Sequence, residues 1–177
     1  MTWAQFLAAF EALNERKRWF PSSLTNRDRE TWKQMRRDLE NHLFRQAYRK
    51  RHDSREFLRV PVLMKGVLLA QARREECAIT TLGEGGCFIA SDNLMPSRTQ
   101  LFLTICPAVG SSWVMEGEVV WSRRTGTEGA GGMGIRFVSA TAIQRQAIYS
   151  VVDKVLNTHL IERCPTRAPM ACHQPTV

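Results

Sequence analysis

Arg55 and Arg59 stand four residues apart in Arg55-Glu56-Phe57-Leu58-Arg59-Val60, where a basic stretch gives way to an apolar alternating run. A guanidinium fork offers paired N–H donors that match two acceptors at once. Two arginines at this spacing therefore suit phosphate oxygens and the edge of a guanine. Farther along, Thr81-Leu82-Gly83-Glu84-Gly85-Gly86 sets a glycine-rich turn between two strand-like runs. Glycine lets backbone approach a flat ligand closely. Together the two segments point to a nucleotide-binding β domain. Each also has a plainer reading. Arg45, Arg49, Lys50 and Arg51 crowd the same basic stretch, and Arg51-x-x-x-Arg55 has the same spacing. The glycines would equally serve a hairpin turn with positive φ angles.

Other chemistries find less support. His42, His52, His159 and His173 are scattered, and Cys164, Cys172 and His173 lie in a proline-rich tail, so no metal site is expected. No serine sits in a nucleophile elbow and no carboxylate pair is placed for acid/base work. Asp53, Glu56, Glu75, Glu76 and Glu84 read as solvated turn charges. The chain is expected not to be an enzyme and to carry no cofactor. Five scattered cysteines fit reduced thiols better than a disulfide framework. No apolar run reaches the roughly 18 residues of a membrane span. Glu11, Glu15 and Arg16 interrupt the N-terminal apolar segment, which is no secretory signal. A cytoplasmic location is the expectation. With 25 Lys+Arg against 17 Asp+Glu, a formal charge of +8 favours an anionic partner.

The elements that would position these residues fall into three zones: a helical extension over 1–50, a β domain with a terminal helix over 51–157, and a disordered tail over 158–177. Trp3, Phe6, Leu7, Phe10 and Leu13 form an apolar stripe at helical spacing, broken at Pro21. Thr25, with Asp28 three residues on, caps a second helix reaching about Tyr48. Its stripe is Trp32, Met35, Leu39, Leu43 and Ala47, and Arg27, Arg29, Lys33, Arg36, Arg37 and Arg45 crowd its other face. The two helices read as a hairpin. From about residue 57 the period changes to two, and short runs separated by Gly, Pro and Asp/Asn turns predict a small antiparallel barrel. Helical spacing returns over 141–157 with Ile143, Ala147, Val151 and Val155. The fold class is mainly β with an α extension.

Four motifs occur in order: Arg55-x-x-x-Arg59 before the first strand, Gly85-Gly86-Cys87-Phe88 after the turn, Gly117-Glu118-Val119-Val120-Trp121, and Gly132-Met133-Gly134-Ile135-Arg136-Phe137. This order resembles the PilZ domain family of bacterial cyclic di-GMP receptors, over about residues 50–156. The resemblance implies a six-stranded barrel closed by a C-terminal helix. It also implies a ligand site between an R-x-x-x-R segment and a [D/N]-x-S-x-x-G turn. Arg55 and Arg59 match the arginines and Gly86 the final glycine. Thr81 stands at the Asp/Asn position and Gly83 at the serine position.

Those two departures bear on cyclic di-GMP. A carboxylate or amide at 81 would accept from the guanine N–H groups, where Thr81 has only a hydroxyl and Gly83 has no side chain. Losing one charge-assisted and one ordinary hydrogen bond costs on the order of 2–4 kcal/mol. That is roughly 30- to 1,000-fold in affinity. The expected function is a non-catalytic cyclic di-GMP receptor or adaptor with weakened binding, which passes its state to an effector protein. Thr81→Asp with Gly83→Ser would restore affinity. The alternative is a ligand-independent adaptor in motility or surface assembly, a homodimer through its N-terminal helices. Nucleic acid is a weaker partner, because the aromatics occupy core-like positions away from the basic residues. Trp121 and the run 132–137 read as barrel core and turn, and Arg136 as an outward rim residue.

Overall fold

The computed structural model describes residues 2–44, 56–125 and 131–161. Helix α1 (Trp3–Trp19) starts at a capping box in which Thr2 Oγ1 accepts from the Gln5 N–H and Gln5 Oε1 accepts from the Thr2 N–H. A single 3-10 turn at Pro21–Ser23 follows, because Pro21 cannot continue α1's hydrogen-bond ladder. Helix α2 (Asn26–Phe44) is capped as the sequence predicts: the Asp28 N–H donates to Thr25 Oγ1, and Asp28 Oδ2 accepts from the Thr25 N–H. Its expected extension to Tyr48 lies outside the described residues.

Six strands follow: β1 (Arg59–Ala70), β2 (Arg73–Gly83), β3 (Gly86–Ala90), β4 (Gln100–Cys106), β5 (Trp113–Arg123) and β6 (Gly132–Ser139). They close an antiparallel barrel in the order β1-β2-β3-β6-β5-β4, with β4 returning to β1. Alternation fills the interior. Leu101, Leu103 and Ile105 of β4 are buried with Met115 and Val119 of β5, while Phe102 and Val114, next to them in the strands, face out. Helix α3 (Ala142–Ile161) packs on β1 and β2.

Several expectations are corrected. The buried residues of α3 are Ile148, Val152 and Leu156, while Ile143 is exposed. The helix is thus rotated by about one residue from the stripe expected at Ile143, Ala147, Val151 and Val155. Adjacent apolar pairs, Val151-Val152 and Val155-Leu156, offered two faces, and packing on the barrel selected the larger side chain at 156. Helix α3 also continues through Asn157 to Ile161, where a patternless tail was expected; residues 162–177 lie outside the described set. The hairpin stripes do not stand apart from the barrel. Leu7, Phe10, Trp32, Leu39 and Leu43 join barrel residues such as Leu58, Leu82 and Val60 in one core. Among the described residues no helix is long and apolar enough to cross a membrane.

Candidate functional site

Residues 56–59 run from the hairpin into the barrel, and the glycine turn is built around them. Arg59 stands across the ladder from Gly83, the last residue of β2. Gly83 pairs with Gly86, leaving Glu84 and Gly85 as a two-residue connection. Only Gly86 of the three glycines has a positive φ, +155°. Gly83 and Gly85 serve another purpose: they admit the chain itself. A Cβ on Gly83 would lie 2.4 Å from the Leu58 carbonyl oxygen, and one on Gly85 would lie 2.5 Å from the Phe57 ring. The expectation of left-handed geometry therefore holds at one glycine, and close approach explains the other two.

The hairpin clamps the same segment from α1 and α2. The backbone N–H of Arg59 donates to Glu40 Oε1 at 3.1 Å. Glu40 also accepts from Arg36, one turn earlier on α2, at 3.3 and 3.4 Å, and both side chains are fully buried. A buried ion pair persists only when further hydrogen bonds satisfy its charges, and the Arg59 N–H supplies one. Lys17 of α1 donates to the Glu56 carbonyl, and its ammonium lies over the Trp32 and Phe57 rings. Arg18 pairs with Glu84 in the turn at 3.7 Å. Sequence reading placed Arg36 on the solvated basic face. The available signal was its position: Arg36 and Glu40 continue the Trp32, Leu39 and Leu43 face and are four residues apart.

Of the predicted site residues, Arg59, Gly83 and Gly86 meet at the end of the β1–β2 ladder. Arg55 lies outside the described residues. Thr81 sits two residues before Gly83 on β2, opposite Pro61 and Phe88. Its Oγ1 is buried without a hydrogen-bond partner among the described residues. Pro61 has no N–H to offer, and the ladders on either side of Thr81 are irregular, between Pro61 and Met64 and between Ile79 and Thr81. Arg136 is exposed as expected and pairs with Glu118 at 2.9 Å. Trp121 is not core: it lies outside the barrel, stacked on Phe88 at 5.5 Å and covering Gly134. Burial pushes the Cys77 thiol up to about 11, with Glu75 and Cys106 adding to the shift. Burial likewise raises Cys87, so neither is an activated nucleophile. No group of His, Cys, Asp and Glu fit to hold a metal occurs among the described residues.

The model of the PilZ domain matches residues 50–154, more than half of the chain. The chain belongs to the PilZ domain family. Its PilZ barrel is similar in fold to the Bacillus subtilis inhibitor of motility MotI/DgrA, with a TM-score of 0.52 and 18% identity over 64% of this chain and 55% of that one. It is similar also to YcgR from Escherichia coli, solved in complex with c-di-GMP. There the TM-score is 0.55 at 6% identity, over 62% of this chain and 49% of that one. The chain thus spans about half the length of these two proteins, and the likeness is one of fold. No curated protein matches the chain.

Proposed function

We propose that this PilZ-domain protein is a non-catalytic, cytoplasmic receptor or adaptor of bacterial cyclic di-GMP signalling whose ligand binding is weakened. Family membership supports the signalling role, and YcgR, a structural neighbour, was solved with c-di-GMP bound. One observation carries the weakening: the Leu58 carbonyl rests on Gly83, so the position matching the motif's serine is filled by the chain's own backbone. Thr81 adds a hydroxyl where the motif has a carboxylate or amide. Arg55 and Arg59 remain the arginines that would grip phosphate or stack on guanine. An effector protein would take the output, in motility or surface assembly.

Calorimetric titration of the full-length protein with cyclic di-GMP tests this. Expected is a dissociation constant weaker than about 10 μM, or no heat, consistent with the 2–4 kcal/mol loss. Binding at low micromolar or tighter overturns the weakening. Thr81→Asp alone should strengthen binding. The paired change Gly83→Ser no longer suits the test, because its Cβ would meet the Leu58 carbonyl. If Thr81→Asp gains nothing, and Arg55→Ala and Arg59→Ala change nothing, the ligand-independent adaptor takes its place.

A further inference from the structure

A cleft of about 840 Å³ opens where the end of α1, the early turns of α2 and α3, and residues 56–58 meet. Five cations line it, Lys17, Arg18, Arg29, Lys33 and Arg145, against two carboxylates, Glu56 and Glu84. Some are already engaged. Arg18 pairs with Glu84, Lys33 with Glu30, Lys17 donates to the Glu56 carbonyl, and one Arg29 nitrogen donates to the Pro21 carbonyl. Arg145, in the first turns of α3, makes no ion pair among the described residues. Gathering like charge in a concavity is unfavourable unless an anion answers it. Burial is the main reason that the proton affinity of Lys17 is lowered; Glu84 and Glu56 oppose it, and Arg36 and Arg29 add a smaller lowering.

The apolar part of the lining is aromatic. Trp19 projects 65% exposed at the end of α1, and Trp32 and Phe57 also line the cleft. An exposed indole bordering a basic cleft is a stacking platform, and guanidinium groups beside it favour a flat anion. The volume lies in the range of small-ligand sites. The start of α3 adds the positive end of its dipole.

We propose that this cleft binds a phosphorylated aromatic of mononucleotide size, its ring on Trp19 and its phosphate held by Arg145 with Arg29. The side chains proposed to hold the ligand come from the helical extension and α3; Glu56, Phe57, Leu58 and Glu84 border the cleft, but Arg59, Gly83 and Gly86 do not line it.

Titration of the full-length protein with GMP, AMP and UMP, followed by tryptophan fluorescence and calorimetry, tests the proposal. At least one mononucleotide should bind saturably, with guanosine and inorganic phosphate each at least tenfold weaker. Trp19→Ala and Arg145→Glu, both at exposed positions, should each weaken binding tenfold or more with unchanged circular dichroism. Arg59→Ala should leave it unchanged, which separates this site from the cyclic di-GMP reading whichever way that reading resolves. Three results would overturn the proposal: no saturable binding of any mononucleotide to millimolar concentration, binding unmoved by both substitutions, or saturable binding of a Glu-rich peptide in place of nucleotides.

Discussion

Residues 56–59 have two neighbours that leave them very different amounts of room. At the glycine turn there is none: the Leu58 carbonyl and Phe57 ring occupy the places that side chains at 83 and 85 would take. At the helices residues 56–58 form one wall of an open cleft lined by cations and rings. A glycine-rich turn is usually taken as space for a ligand. Here the space is used by the chain, and the open volume is beside the hairpin. Access to the turn would require residues 56–59 to lift away, and the hairpin is what holds them.

The largest expected effect comes from releasing that hold. Glu40→Ala removes the carboxylate that joins buried Arg36 to the Arg59 N–H. Breaking a buried pair from one side should cost about 3–5 kcal/mol in urea unfolding. Hydrogen exchange at Arg59 should quicken as well. Wild-type exchange in the variant would mean that the hairpin does not secure the segment.

Gly83→Ser acts from the other neighbour. Its Cβ would stand 2.4 Å from a backbone oxygen, which cannot rotate away as a side chain could. A loss of roughly 2–3 kcal/mol is expected, in the range of overpacking and strain. If this variant unfolds at the wild-type urea midpoint, the segment moves freely off the turn, and the contrast between closed turn and open cleft fails.

Much of the frame around this contrast was legible in the sequence, and the missing parts have separate physical causes. The barrel was readable because β4 and β5 alternate cleanly and four ordered motifs frame them. The hairpin was readable from its stripes and from Thr25 with Asp28. Charge misled where charge is buried: Arg36 looked solvated, yet it pairs with Glu40 in the core, and Glu40 in turn accepts from the Arg59 N–H. The charged run Arg73-Arg74-Glu75-Glu76 hid the start of β2, and the turn before it uses Gln71 and Ala72 at positive φ, with no glycine to announce it. The filling of the turn was unreadable, since it depends on which backbone lies over a glycine, and composition carries no trace of that. Trp121 was misplaced because an indole on a strand reads as core, whereas Gly134 leaves it a shelf on the outer surface.

A smaller effect is expected at Thr81. Its hydroxyl is buried without a partner among the described residues, so Thr81→Val should remove a desolvation cost while keeping the shape. A gain of about 1 kcal/mol in urea unfolding follows. A loss instead would mean that the hydroxyl is hydrogen-bonded to an ordered water, and the closed side would then be wetter than the packing implies.

The smallest effect sharpens the picture from a third place, where α1 meets α3. Burial, reinforced by Asp153 and then Glu15, raises the proton affinity of Glu11 above its ordinary value. A carboxyl that binds its proton more tightly when folded contributes stability at low pH. That contribution is lost as the pH rises through the ordinary glutamate range and then through the raised folded value. Glu11→Gln cannot titrate. The variant should therefore be more thermally stable than the wild type at pH 7, with the difference shrinking toward pH 4. Because Glu11 is largely solvated, the shift in melting temperature should be small, a few degrees at most. A difference that grows on acidification would show that Glu11 is held as a carboxylate, which would point to cations from the neighbouring cleft reaching across to it.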